Sequence, residues 1–175
     1  MTIVVITTII ITPMLRKRKI AKNSKASETQ LEAQVFVDVL RTADALARGA
    51  ETLLKPVGLS ATQYNVLRIL RGAGSEGLAC REVGCRLISK DPDITRLLDR
   101  MESRGWIARA RGEKDRRIVR TRITAEGIRI LEKLDTPIQE LHRRQLHHLP
   151  AKQLRQLSQL LERARMQAAT ECSGE

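Results

Sequence analysis

Residues 91–124 read DPDITRLLDRMESRGWIARARGEKDRRIVRTRIT, and this stretch decides the fold. Its first part predicts an α-helix, because apolar residues recur at i, i+3, i+4 and i+7, the spacing of one helix face. These residues are Ile94, Leu97, Leu98 and Met101. Asp91 suits the N-cap and Pro92 the first helical position, where a missing N–H costs nothing. Gly105 ends the helix.

The second part of the stretch predicts a β-hairpin. Residues 118–123 alternate, with Val119, Thr121 and Ile123 on one face and the basic residues of the strand on the other. The segment between the two strands, residues 112–117 (GEKDRR), combines turn-forming residues with a basic end. A helix followed by a basic hairpin suits a protein that reads duplex DNA through two grooves.

The composition favours a mainly α-helical domain. The chain has 175 residues, enough for one domain with a sizeable core. Hydrophobic residues make up 42% but aromatic residues only 2%, so the core must be aliphatic. The composition therefore predicts a mainly α body with a small β element. Together with the hairpin above and the order of helical segments below, it predicts a mainly α fold with a small β-hairpin wing, a winged helix-turn-helix flanked by N- and C-terminal dimerisation helices.

The charge favours a polyanionic partner. The formal net charge is +12 and the pI about 10.5. Between residues 81 and 123 there are thirteen Lys or Arg and seven Asp or Glu, a net charge of +6, so the excess includes the hairpin. The alternative is a soluble protein whose basic surface has no specific partner.

Sites for catalysis or cofactors are not evident in the sequence. No nucleophile–base set and no glycine-rich phosphate loop occurs, so an enzyme is not expected. His142 and His147 lie five residues apart, a poor spacing for one helix face, and His148 completes no ligand set, so no metal is expected. The cysteines are odd in number and lack zinc-finger spacing, which fits a reducing cytoplasm; they are Cys80, Cys85 and Cys172.

The first residues are unusual. Residues 2–12 are all β-branched and a basic run, residues 16–19, follows them. The apolar run is shorter than the roughly 20 residues of a membrane-spanning helix, and its charge follows rather than precedes it, unlike a secretory signal. Three interpretations remain: a disordered tail, an interfacial anchor, or a start-site artefact with Met14 as the true start. We favour the last.

The remaining chain divides into helical segments. We expect a tail over residues 1–27, a dimerisation helix within 28–58, a winged helix-turn-helix lobe over 59–123 and dimerisation helices over 124–170. Ser60 and Thr124 are predicted N-caps. A short helix over residues 80–87 carries Gly84, which is expected to allow close helix packing, and Pro137 is expected to kink or split a long helix.

The two ends of the chain predict a homodimer. The first helix carries apolar residues at helical spacing, and so does the last, through Leu154, Leu157, Leu160, Leu161 and Ala164. This is more apolar surface than one small domain needs to cover itself. Packing only within the chain is the alternative.

The chain resembles the MarR family of bacterial transcription regulators over about residues 28–165. The resemblance rests on Leu59-Ser60-x-x-Gln63-x-x-Val66-Leu67, on residues 95–105 (TRLLDRMESRG), on Asp115-Arg116-Arg117, and on Ile123-Thr124-x-x-Gly127. It implies a winged-helix homodimer that binds pseudo-palindromic DNA and often represses transcription. It also implies that a small, often aromatic effector binds between the dimer region and the DNA-binding lobe, with Phe36, Leu40 and Tyr64 as pocket candidates.

This sequence departs from the family pattern in three places. The recognition helix begins with Asp91-Pro92-Asp93, where Ser or Thr is more usual, which leaves base preference open. Cys85 occupies a position that is often charged, and Pro150 replaces a common polar N-cap. The last two departures cast little doubt on the fold.

The recognition helix presents the predicted base-reading residues. Arg96, with Thr95, is expected at base edges in the major groove, and Arg100 at phosphate. Asp93 either accepts a hydrogen bond from a cytosine amine or orients Arg96, whereas Asp99 is expected to pair with a neighbouring arginine. The predicted DNA-contact residues of this helix are Pro92, Asp93, Thr95, Arg96 and Arg100.

The wing is expected to contact the minor groove and the phosphates. Arg117 is predicted to enter the minor groove, with Arg116 as the alternative, and Asp115 to anchor an arginine and stiffen the hairpin. The predicted phosphate contacts are Arg109, Arg111 and Lys114. Ser60, Thr62 and Gln63 could also touch the DNA backbone.

Two other functions are considered alongside a DNA-binding regulator. One is a redox-sensing regulator that uses Cys80 or Cys85, which have Arg81 and Arg86 nearby; a reactive thiol must be exposed and have a lowered pKa. The family's peroxide sensors carry their cysteine in the first helix, and this first helix has none. The other is a membrane-associated protein held by the N-terminal run, although stable insertion is not expected.

Overall fold

Helices dominate the part of the chain that the computed structural model describes, residues 24–89, 93–111 and 119–171. The helices are α1 (Ser24–Leu54), α2 (Ala61–Ala73), α3 (Cys80–Arg86), α4 (Ile94–Ser103), α5 (Ala125–Leu146) and α6 (Ala151–Glu171). The strands are β1 (Leu78–Ala79), β2 (Ile107–Arg111) and β3 (Val119–Ile123). The described residues divide into two compact units between Ala43 and Asp44, a point that lies within α1. The predicted tail lies almost wholly outside the described residues.

The strands form one antiparallel sheet in the order β1-β3-β2. Ile107 pairs with Ile123 and Arg111 with Val119, which confirms the predicted hairpin. The sheet has one strand more than the two of the predicted hairpin, because β1 adds a third, with Leu78 opposite Thr121. Mainly helical structure with a small β wing is therefore confirmed.

An aliphatic core holds together the described residues of the second unit. It takes Leu54 from the end of α1, the inner faces of α2 to α5, and Ile107 from β2. Trp106 is the one aromatic residue among its buried members. The apolar face predicted for α4 is buried as expected, with Leu97 and Leu98 each at most 2% exposed. The largest fully buried side chains are Leu54, Leu67, Leu70, Leu98, Met101, Ile107 and Leu131.

Two predicted N-caps are confirmed. Ser60 Oγ accepts a hydrogen bond from the Gln63 backbone N–H at 3.2 Å, and Gln63 Oε1 accepts from the Ser60 N–H at 3.0 Å, a reciprocal capping box. Thr124 Oγ1 accepts from the Gly127 N–H at 3.1 Å and donates to the Gly105 carbonyl at 2.7 Å. Thr124 thus starts α5 and also fixes the turn that follows α4.

Two local predictions were wrong, and a third is narrowed. The N-cap of α4 is Asp93 and not Asp91, so the helix begins at Ile94; Asp93 Oδ1 accepts from the Arg96 N–H at 3.2 Å. Gly84 was expected to allow close packing, but no atom lies within 4 Å of where its Cβ would be. Of the two effects expected of Pro137, splitting does not occur, because α5 runs on through this residue to Leu146. The expected kink stays a prediction.

A bidentate ion pair joins α2 to α5. Arg71 Nη1 and Nη2 donate to the two carboxylate oxygens of Asp135 at 2.7 and 2.8 Å. This hydrogen bonding holds the pKa of Asp135 below its usual value of 3.8. Both side chains are about a third exposed, so solvent screening keeps the contribution of the pair to stability small.

We expect Asp135→Asn to destabilise the protein at neutral pH and to reduce its acid sensitivity. Folding lowers the pKa of Asp135, so its ion pair with Arg71 stabilises the folded protein fully above the ordinary carboxyl pKa. This stabilisation is lost as pH falls through the pKa that Asp135 has in the folded protein. The gap in Tm between wild type and variant should narrow as pH falls from 7 to below 3.8. Thermal unfolding monitored by circular dichroism measures it, and a gap independent of pH would contradict the assignment.

The first and last helices expose apolar side chains. On α1 these residues are Leu31, Val35, Phe36, Val39 and Leu40, which are 42–63% exposed. On α6, Leu157 and Leu160 are 40% and 51% exposed. None of the described helices is long and apolar enough to cross a membrane.

Candidate nucleic-acid interface

The start of α4 holds one arginine in a defined place. The carboxylate of Asp93 caps the helix through the backbone N–H of Arg96, and its Oδ2 lies 3.1 Å from Nε of the same arginine. The Arg96 side chain is nonetheless 82% exposed, so its terminal donors face solvent. Of the two roles predicted for Asp93, orientation of Arg96 is therefore the one that the geometry supports.

The exposed face of α4 forms a shallow depression of about 360 Å³ lined by Asp93, Arg96, Asp99 and Arg100. The opposite face is anchored in the core through Leu97, Leu98 and Met101. An amphipathic helix held in this way can enter a groove while its backbone stays fixed. Its polar face mixes guanidinium donors with carboxylate acceptors, and both kinds of group can hydrogen-bond to base edges.

Thr95 has a neighbour from α3. Its Oγ1 lies 4.0 Å from Sγ of Cys80, which is half-buried, whereas Cys85 is exposed; both cysteines are free thiols. The hydroxyl predicted to face DNA therefore also touches a thiol. This contact alone does not indicate a reactive cysteine, and redox sensing stays a prediction.

Arg109 has a different environment from the one the sequence suggested. Predicted as a phosphate contact, it points its guanidinium at Asp99 and Glu102 on α4 and is 26% exposed. The expectation that Asp99 pairs with a neighbouring arginine is confirmed, with 2.5 Å between Asp99 Oδ1 and Arg109 Nη2. Arg111, in contrast, is exposed at the last residue of β2.

The tip of the wing was the other predicted contact region. Residues 112–118 lie outside the described residues, and so does Pro92. The predicted residues affected are Pro92, Lys114, Asp115, Arg116 and Arg117. At the start of α2, the side chains of Ser60 and Gln63 hydrogen-bond to backbone N–H groups of their own capping box.

Several residues that position the interface were not singled out from the sequence. Asn65 Oδ1 accepts from the Ile88 N–H at 2.9 Å and so fixes the turn that follows α3. Arg104 donates to the Gly58 carbonyl at 3.0 Å and stacks over the Trp106 ring at 4.8 Å. The two hydrogen bonds join residues 23 and 46 positions apart in sequence, so no local pattern predicts them.

Comparison with known proteins identifies a family. The family model described as "MarR family" matches residues 59–119, from two residues before α2 to the first residue of β3. The multiple antibiotic resistance protein MarR of Salmonella typhimurium is 34% identical over 112 residues, which are 63% of this chain and 76% of that protein. The transcriptional repressor IacR of Pseudomonas putida is 28% identical over 137 residues, 78% of this chain and 81% of that protein.

Some relatives are longer than the matched region. The transcriptional regulator TtmR of Methylorubrum extorquens is 32% identical over 120 residues, which are 69% of this chain but only 60% of that protein. The transcriptional repressor MprA of Escherichia coli is matched over 52% of its length, at 29% identity.

Solved structures share the fold. A MarR transcription factor from Planctomyces limnophilus is 35% identical, with 82% of this chain and 98% of that chain covered and a TM-score of 0.57. A mutant MarR from E. coli in complex with operator DNA is 26% identical, covering 82% and 99%, with a TM-score of 0.65. CouR from Rhodococcus jostii, bound to p-coumaroyl-CoA, is 26% identical, covering 75% and 92%, with a TM-score of 0.67. The chain belongs to the MarR family of transcription regulators.

Proposed function

We propose that this protein is a sequence-specific, double-stranded DNA-binding repressor that acts as a homodimer on a pseudo-palindromic operator. The observation that carries the proposal is the exposed arginine face of α4, set on a helix whose other face is buried in the core. The protein acts by binding and not by catalysis, and we place it in the cytoplasm. Residues 59–123 form the DNA-binding lobe, residues 28–58 and 124–170 the dimerisation helices, and residues 1–27 a tail.

In this proposal α4 enters the major groove of DNA. Arg96, oriented by Asp93, donates to a guanine edge, with Thr95 beside it, and Arg100 lies one turn further toward a phosphate. The mutant MarR from E. coli, which is 26% identical, was solved in complex with operator DNA. That relationship and the exposed guanidinium of Arg96 both support a direct role in base reading.

The wing supplies the flanking contacts. Arg117 enters the minor groove, Arg111 and Lys114 contact phosphates, and Asp115 stiffens the hairpin. Much of the affinity then comes from neutralised phosphates, because the chain carries a net charge of +12, and it should fall steeply with added salt. Arg109 is not included among the phosphate contacts, because its guanidinium already faces two carboxylates.

Homodimerisation is supported by the exposed apolar residues of the first and last helices. Side chains such as Phe36, 58% exposed, and Leu160, 51% exposed, recur along α1 and α6. Covering them with a second copy removes apolar surface from water, the main driving force of obligate dimers. A two-fold dimer would present its two α4 helices to half-sites about 34–36 Å apart, one helical turn of DNA.

We further propose that a small aromatic molecule releases the DNA. CouR, 26% identical, was solved with p-coumaroyl-CoA bound, which supports an aromatic acyl group as one form of ligand in this family. Phe36, Leu40 and Tyr64 are the candidate pocket residues. Phe36 and Leu40 are exposed on α1, and Tyr64 packs against the core with Arg68 over its ring.

Selection of bound sequences from random duplexes tests the proposal directly. We expect the purified protein to enrich a dyad-symmetric consensus whose half-site centres lie about 10–10.5 base pairs, or a multiple of that spacing, apart. Sedimentation of the protein with the selected duplex should give two chains per duplex. Enrichment of no consensus, or a strictly monomeric protein on a single half-site, would rule out the proposed mode of binding.

A further inference from the structure

Three charged side chains join α4 to the first strand of the wing. Glu102, in the last turn of α4, accepts from the backbone N–H of Arg109 through Oε1 at 2.9 Å and from its Nε through Oε2 at 2.8 Å. Nη2 of Arg109 lies 2.6 Å from Oε2 of Glu102 and 2.5 Å from Oδ1 of Asp99. One guanidinium thus spans a turn of α4, and one carboxylate holds the main chain of β2.

We infer that Asp99, Glu102 and Arg109 are positioning residues for DNA reading, which fix the orientation of the wing relative to α4. The inference rests on the proposed function and deepens it, because it assigns sequence discrimination to a cluster that need not touch DNA. The binding free energies from base reading by α4 and from the wing contacts add only when both elements fit their grooves at the same time. A rigid connection between them therefore raises affinity for the correct site.

The charges of this cluster argue against a direct phosphate contact. Two carboxylates surround one guanidinium, so the cluster carries a net charge of −1 and would repel a phosphate. The hydrogen bonds from Arg109 lower the pKa of Glu102 below its usual value, so this carboxylate stays ionised at neutral pH. A negative cluster at a DNA-binding surface weakens the electrostatic attraction to DNA. Its benefit must therefore come from fixing the positions of α4 and β2, and not from its charge.

Strand pairing links Arg109 to the neighbouring strand at the base of the hairpin. Its strand partner is Thr121 of β3, whose side chain is buried. Because the backbone N–H of Arg109 donates to Glu102, the main chain of β2 is fixed at that point, and β3 is held against it by the ladder. The whole hairpin base therefore keeps one orientation relative to the last turn of α4.

Two substitutions separate this role from a charge effect. Glu102→Gln removes a negative charge near DNA; if charge alone mattered, the variant would bind all duplexes more tightly. Arg109→Lys keeps the charge but loses the planar fork that spans both carboxylates. We expect both variants to lose about tenfold in the ratio of consensus to random-duplex affinity, a change worth about 1.4 kcal/mol. Glu126→Gln, which alters an exposed ion pair with Arg129 on α5, is the control.

The readouts distinguish positioning from loss of folding. Affinities for the selected consensus and for a random duplex are measured over a range of salt, with the folded fraction of each variant checked by thermal unfolding. Positioning predicts a lower ratio in both variants, a salt slope like that of wild type, and no change in the ratio for Glu126→Gln. Equal tightening on both duplexes by Glu102→Gln, or a wild-type ratio in Arg109→Lys, would overturn the inference. Absence of discrimination in the wild type itself would instead count against the proposed function.

Discussion

Replacing Gly127 with alanine is expected to lower the free energy of unfolding by about 3 kcal/mol, the upper end of the usual cost of overpacking. A Cβ at this position would lie 2.4 Å from the carbonyl oxygen of Trp106 and 2.7 Å from Cγ1 of Ile123. The first obstacle is backbone, so a rotamer change cannot relieve it. Either α5 or the turn after α4 must move, and Thr124 ties the two together through hydrogen bonds to the carbonyls of Gly105 and Trp106.

A second glycine provides the control for this prediction. Gly72 lies within α2, is exposed, and has no atom within 4 Å of its would-be Cβ. Gly72→Ala should therefore stabilise the protein slightly, by about 0.4–1 kcal/mol, because alanine restricts the unfolded chain. For a protein of this size the Gly127→Ala variant should lose roughly 6–12 °C in Tm. Equal Tm values for the two variants would contradict the prediction. They would mean that the clash between the new Cβ and the Trp106 carbonyl is relieved with no loss of stability.

Gly127 also shows where sequence reasoning ends. The sequence placed it in the motif Ile123-Thr124-x-x-Gly127, and the Thr124 cap was predictable because a cap depends on residues within three positions of one another. The reason for the glycine is the carbonyl of Trp106, about twenty residues earlier in the chain. The distance between Gly127 and this carbonyl depends on how α5 packs on the turn after α4, and no local sequence pattern predicts such packing.

The start of α4 illustrates a milder failure. The apolar spacing of Leu97, Leu98 and Met101 fixed the helix and its buried face correctly. Two aspartates, Asp91 and Asp93, lie within two residues of each other, and both are good N-caps. Side-chain propensity cannot choose between them. The helix and the chemistry of its cap were therefore predictable, but its first residue was predicted too early in the chain.

The partners in long-range pairs could not be predicted. β1 has two residues, too few for any alternation, and it exists because Leu78 pairs with Thr121, more than forty positions away. The role of Arg109 depends on Asp99 and Glu102 in another element. One signal was available: Asp99 and Glu102 are three residues apart on α4, so they share a helix face that a basic strand follows directly.

Arg96→Ala is expected to remove most of the base preference at one position of each half-site. A bidentate contact from arginine to guanine O6 and N7 discriminates against other bases by about 1–3 kcal/mol, so affinity for the consensus should fall about 5- to 150-fold. Affinity for random duplexes should fall much less, because only one of many charges is lost. Asp93 would keep its capping bond to the backbone N–H of residue 96, so the helix itself should remain folded.

Two control variants make this prediction specific. Arg143→Ala removes the same charge from an exposed i,i+3 ion pair with Glu140, near the far end of α5, and should leave base preference unchanged. Lys114→Ala, in the wing, should weaken binding to all sequences about equally, as expected of a phosphate contact. Equal losses on consensus and random DNA for both Arg96→Ala and Lys114→Ala would refute this division of roles.

A chemical substitution in the DNA locates the contact. Replacing the consensus guanine with 7-deazaguanine removes the N7 acceptor but leaves Watson–Crick pairing intact. Wild-type protein should lose affinity for the modified duplex, whereas Arg96→Ala should bind modified and unmodified duplexes alike, since the donor is already gone. Additive losses from the two changes would mean that the guanine is read by another residue, and the exposed guanidinium of Arg96 would then act through charge alone.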